Sequence, residues 1–191
     1  MRPFKKLVPS QGGQALTELA LILPMLLVLA LGAIEVSNMI QGYLTLSHLT
    51  REGANMISRG IASPDSALDA IIESACPPLC TDNQGQWKVI YSRVGPRSDP
   101  IDPSGCEPDN DTYVVLEQFI PPTKGSLDEP SKLGSACDQV TEAELPNIDQ
   151  ISTGNNLYIV EAFYQYEAIT PVGNMKVNLG NPIIFYERAV F

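Results

Sequence analysis

The amino-acid sequence predicts an α+β protein: a long N-terminal helix, membrane segment plus stem, followed by a small antiparallel-sheet domain with disulfide-tied loops. Three observations predict it. An uncharged run from Leu19 to Ile34 is hydrophobic on every side of a helix, and helical periodicity continues beyond it with no proline before Pro64. After Cys76-Pro77-Pro78 the period changes to alternation, in segments rich in Val, Ile, Tyr and Phe. Four cysteines, Cys76, Cys80, Cys106 and Cys137, all follow the apolar run.

Composition sets the outer limits. Apolar residues make up 44% of the 191 and charged residues 18%, which excludes disorder over the whole length. A net charge of −10 opposes sequence-independent binding to phosphates, so no nucleic-acid partner is expected. The charge is also polarised. Arg2, Lys5 and Lys6 precede any acid, and without the first thirteen residues nine bases would face all twenty-two acids, a net −13. The chain therefore reads as a basic leader over 1–13, a helix over 14–61 and an acidic α+β domain over 62–191.

The helix starts with the apolar run. About 20 apolar residues cross a bilayer, and the stretch around Leu19–Ile34 reaches that length by including Glu18 or Glu35. Cations just before the run place the N-terminus in the cytoplasm and the body outside it, with membrane lipid as a partner. Two other readings compete: a removable secretory signal cut near Ala30-Leu31-Gly32, and a plain membrane anchor. An ionisable residue such as Glu18 at the start of an apolar segment is costly, and an ordinary secretory signal has no use for it. Pro24 removes one helical hydrogen bond and predicts a kink near Ala20. Glu35 is read either as an interfacial acid reaching water or as a subunit contact.

A basic leader, Gly12-Gly13, Gln14-Ala15-Leu16-Thr17, Glu18 and then the apolar run resembles a class III, type IV-like prepilin signal. The resemblance extends to TadE-like pseudopilins and minor pilins of tight-adherence (Flp, type IVb-like) pilus systems. It is carried by Gly13-Gln14-Ala15, Glu18-Leu19-Ala20, Leu23-Pro24, Gly32 followed by Glu35, and Thr50-Arg51-Glu52-Gly53-Ala54, over about the first sixty residues. It implies cleavage after Gly13 by a membrane-embedded prepilin peptidase, with Glu18 as the fifth residue of the mature chain and the apolar helix retained. It also implies other pilin or pseudopilin subunits and an inner-membrane assembly platform as partners, an inner-membrane single-pass location, and a place in an extracellular pilus. Cleavage would create an ammonium on Gln14, and Glu18 lies one helical turn further on the same face. Glu18 can compensate that charge in its own chain or in a neighbouring one, or simply occupy the helix start, where the dipole favours an acid.

Beyond Glu35 the apolar positions Leu44, Leu46, Leu49, Ala54 and Ile57 recur at helical spacing. A helix over 14–59 would be about 70 Å long at 1.5 Å per residue, so its outer part reads as a stem. A second helix begins with Ser63 as cap, Pro64 in the first turn and Asp65 near the positive dipole end. Its inward face is Leu68, Ile71, Ile72 and Ala75. Four strands follow at 87–94, 112–120, 158–169 and 183–191. In the third, Tyr158, Val160, Ala162, Tyr164 and Tyr166 share one face while Glu161, Gln165 and Glu167 fall on the other, which predicts a sheet with one wet side. The connections 95–111 and 121–156 are long enough to carry recognition.

The even cysteine count on the exported side predicts two disulfides, with three pairings open. Joining Cys76 to Cys80 closes too short a loop to gain much, so distant partners are favoured. A zinc site lacks paired C-x-x-C spacing. Asp99, Asp102, Glu107, Asp109 and Asp111 form an acidic loop whose spacing departs from calcium-loop order, and solvated charge is the expected reading. His48, the one histidine, falls on the stem helix. No nucleophile elbow, phosphate loop or paired-His motif occurs, so neither catalysis nor a cofactor or metal is expected. The function expected is a minor pilin or pseudopilin acting in assembly, priming or tip structure, and so in adhesion or secretion. The alternative is a membrane-anchored extracytoplasmic binding protein that does not assemble.

Overall fold

The protein's structure, a computed structural model, describes residues 11–74, 87–96, 113–121, 127–141, 144–146, 148, 156–171 and 182–191. Two helices, α1 (Gln11–Ser58) and α2 (Pro64–Ser74), precede four strands: β1 (Trp87–Pro96), β2 (Tyr113–Phe119), β3 (Leu157–Tyr166) and β4 (Ile183–Val190). The α+β class and the order helix, helix, four strands agree with the sequence reading. The chain divides into two compact units, one comprising Met1–Asn38 and Ala168–Asn181, the other Met39–Glu167 and Pro182–Phe191.

In the second unit, α1 ends where its sequence provides a stop. Gly60 has a φ of 64°, in the left-handed region that glycine enters without a Cβ clash. Its N–H donates to Ile57 O at 2.9 Å and that of Ile61 donates to Met56 O at 3.1 Å. These two bonds form a Schellman end and satisfy carbonyls that the helix leaves open. Three residues later Ser63 caps α2: the Ser66 N–H reaches Ser63 Oγ at 3.3 Å, and the Ala67 N–H reaches Ser63 O at 2.9 Å. Ser63 and Pro64 thus take the cap and first-turn positions that their chemistry suits.

The helices bury the stripe that the periodicity marks. Leu46, Leu49, Ala54 and Ile57 of α1 and Ala67, Leu68, Ile71 and Ile72 of α2 are buried. Leu44 departs from the expected stripe and is exposed. It lies two residues before Leu46, some 200° around the helix, so the two cannot share a face. Gly53 lets α2 come close: a Cβ there would meet Ile71 Cδ1 at 1.9 Å.

The sheet is antiparallel throughout, in the order β2-β1-β3-β4. Registers such as Ile90↔Glu161, Val94↔Leu157 and Tyr164↔Phe185 fix which residues share a face. Between Arg93 and Val94 the pairing with β2 shifts, and Leu116 becomes the extra residue of a bulge. On one face Phe185 meets Tyr164, Tyr166 and, from α1, Tyr43, with ring centroids about 6 Å apart. Glu187, two residues further along β4, accepts from Tyr43 Oη and Ser47 Oγ, each at 3.0 Å. Helix α1 is therefore fastened to β4 by both rings and hydroxyls.

The opposite face corrects the expectation of a wet side. Leu133, Val140, Leu145 and Ile148, from the long connection between β2 and β3, form a core cluster with Val94, Val115, Leu157 and Ile159. Glu161 lies under this strap with 0% exposure. Its carboxylate accepts from Ser131 Oγ, the Lys132 N–H at 3.0 Å and Tyr186 Oη at 2.9 Å. A buried carboxylate is tolerable only when donors replace water, and the strap provides them. Alternation alone could not show that a loop covers this face. Burial, and then the Glu161 charge, push the Tyr186 hydroxyl well above the usual phenol range.

Further polar ties hold the strap. Lys88 Nζ donates to Glu129 O at 2.6 Å, Gln118 Nε2 to Gly134 O at 3.0 Å, and Arg188 to Glu144 O. Residues 137–140 also lie along β2: Cys137 N–H donates to Val115 O at 2.8 Å and Val140 N–H to Tyr113 O at 2.9 Å. Strand β3 ends at Tyr166, three residues short of the expected Ile169.

Candidate functional site

The site suggested by the sequence is the N-terminal part of α1. The described part of α1 starts at Gln11, three residues before the expected start, so the Gly13–Gln14 bond lies within helical chain rather than ahead of it. Glycine is a poor helix former, by about 1 kcal/mol relative to alanine, which favours local opening at Gly13. Gln14 and Glu18 occupy one helical face, as the i,i+4 spacing requires, and Gln14 Nε2 donates to Glu18 Oε1 at 3.2 Å. Both side chains are exposed.

From Leu16 to Leu29 the apolar side chains point outward on all sides; Leu16, Leu19, Leu21, Ile22 and Leu23 are each at least half exposed. Only 6% of the most apolar eighteen-residue window is buried, which separates this helix from the core helix of a water-soluble domain. Among the described residues it is the one helix long and apolar enough to cross a membrane. Pro24 sits inside a continuous helical stretch. Ile34, at the end of the run, is half exposed.

Glu35 stands apart from these neighbours, at only 5% exposure. Its Oε1 accepts the Ile169 N–H at 3.2 Å and its Oε2 the Thr170 N–H at 2.9 Å. Of the two readings open in the sequence, water contact or subunit contact, the structure shows a third: Glu35 fastens a later segment of its own chain to the helix. An unpaired acid in an apolar stretch signals a need for donors, but nothing in the sequence indicates that residues 169 and 170 supply them.

The remaining candidates lie elsewhere. Cys137 has a φ of 70°; Cys76, Cys80 and Cys106 fall outside the described residues, and the expected disulfides fall there with them. The acidic loop from Asp99 to Asp111 also falls outside. His48 is on the helix surface, with Nδ1 3.6 Å from Glu52 Oε2. With Leu44, Arg51, Glu52 and Phe191 it lines a shallow groove of mixed charge. Among the described residues no group of three His, Cys, Asp or Glu side chains is placed to hold a metal ion.

An apolar, lipid-compatible helix followed by an α+β body fits a membrane protein with a single-pass anchor. The model of the TadE-like protein family matches residues 13–55, less than a quarter of the chain, and over that stretch the chain is TadE-like, as its motifs indicate. No curated protein and no solved structure matches the chain. The family match associates the protein with tight-adherence pilus systems; the sheet, strap and second helix lie beyond it.

Proposed function

We propose that the protein is a minor pilin or pseudopilin of a tight-adherence pilus, a non-catalytic subunit acting in assembly, priming or tip structure. The observation that carries this reading is the apolar surface of α1, exposed on all sides within the TadE-like stretch. A lone polypeptide gains nothing from such a surface in water. It is suited first to lipid in the inner membrane and then to the helices of neighbouring subunits in a filament.

On this reading prepilin peptidase unwinds α1 locally and cuts after Gly13. The new ammonium of Gln14 then lies one turn from Glu18, whose present partner is the Gln14 amide. When subunits stack, the Glu18 carboxylate meets the ammonium of an adjacent chain and sets the register. The assembly platform engages the helix from the membrane, and the acidic body, its loops tied by disulfides, stands outside the cytoplasm.

N-terminal sequencing of the protein purified from membranes tests this. A chain starting at Gln14 supports the proposal, a start at Ala33 indicates a secretory signal, and an intact Met1 indicates a permanent anchor. Gly13→Lys should leave the precursor uncut, whereas Glu18→Ala should be cut but fail to assemble. Normal pili from both variants would overturn the assignment.

A further inference from the structure

We infer that Ala168–Pro171 is a lipid-contacting loop, held by Glu35 at the outer end of the apolar run so that Ile169 enters the interfacial layer of the bilayer. The inference rests on the membrane reading of α1 above and concerns a segment outside the TadE-like match.

The level of the loop follows from helix arithmetic. About 20 helical residues span the hydrocarbon core, and counting from Leu16 the twentieth is Glu35. Its carboxylate therefore sits where acyl chains give way to headgroups. A backbone entering that layer must have its N–H groups satisfied without relying on water, and Glu35 accepts from both Ile169 and Thr170. The flanking Ala168 and Thr170 are buried, while Ile169 is 69% exposed. On the helix, Ile34 and Val36 on either side of Glu35 are also more than half exposed.

A single outward isoleucine ordinarily has no significance. Here it continues an apolar surface that already runs along α1 from Leu16 to Ile34, and its backbone is held by a carboxylate at the membrane edge. Lipid is the occupant that this continuity selects. Water would gain nothing from Ile169.

The test is depth-dependent quenching in the full chain, reconstituted in phosphatidylcholine vesicles brominated at shallow or deep acyl positions. With the native Trp87 changed to phenylalanine, Ile169→Trp reports on the loop and Leu27→Trp on the helix. Shallow bromines should quench the Ile169→Trp emission about twofold, as for a side chain buried a few ångströms below the headgroups. Deep bromines should act on Leu27→Trp. Glu35→Ala, and to a lesser degree Glu35→Gln, should reduce quenching at 169 and leave Leu27→Trp unchanged. Quenching of Leu27→Trp but not Ile169→Trp would overturn the lipid loop while the membrane reading stands. Absence of quenching at both would overturn the two together, and quenching at 169 untouched by both Glu35 variants would remove the carboxylate from the argument.

Discussion

The two halves of α1 are one helix with opposite fates. Leu16, Leu19, Leu21 and Leu27 are exposed, whereas Leu46, Leu49, Ala54 and Ile57, some thirty residues later, are buried. The halves differ in amount, the first being the more apolar, and also in arrangement. In the first half apolar residues occupy every direction, so no single protein face could cover them. In the second they form a stripe between polar residues, and the body of the same chain covers it. Hydrophobicity alone does not say what a helix packs against; its angular distribution does.

Four experiments put numbers on that contrast, from the largest effect downward. Leu49→Ala should destabilise the folded body by about 2–5 kcal/mol, the range for a buried leucine. Leu27→Ala should leave the same chemical-denaturation midpoint unmoved, and a shift as large as that of Leu49→Ala would mean that the first half packs on protein. Glu161→Ala should cost about 1–3 kcal/mol for each buried donor left without an acceptor. Exchange of the Lys132 amide hydrogen should accelerate with it, because that N–H loses its acceptor.

Gly53→Ala comes next, at about 1–3 kcal/mol, the usual cost of forcing an extra methyl into a packed contact. Ile71→Val in the same chain should recover part of the loss, since Ile71 Cδ1 is the atom in the way. The smallest effect is alkaline. Burial raises the phenols of Tyr186 and Tyr91 in the folded state, with Glu161 and Glu117 respectively adding to the shift. An unfolded tyrosine loses its proton near about pH 10. The folded state therefore keeps protons that the unfolded state gives up, and this part of its stability is complete below about pH 10 and lost as pH rises further. Denaturation midpoints at rising pH, with phenolate absorbance followed in parallel, would show unfolding and tyrosine ionisation moving together.

Much of this architecture was legible because local chemistry and global fold agree. Ser63-Pro64 and the alternation from Tyr158 to Tyr166 each specify an element by capping or side-chain period, and the structure uses both. The TadE-like stretch was readable for the same reason, as a fixed order of Gly13, Glu18, Pro24 and Glu35. What escaped were pairings across long separations. Glu161 looks like a solvent-facing acid until a strap thirty residues away supplies Ser131 and Lys132. Glu35 looks unsatisfied until residues 169 and 170 arrive. Side-chain period records which face a residue takes, and carries no information about what will cover that face.

The run of residues 137–140 along β2 has a consequence for how copies of this chain can meet. An open strand border recruits further strands. Here the chain has laid its own backbone there, through bonds of Cys137, Asp138 and Val140 to Val115 and Tyr113. That part of the β2 border is already paired, so a further strand cannot add to it there.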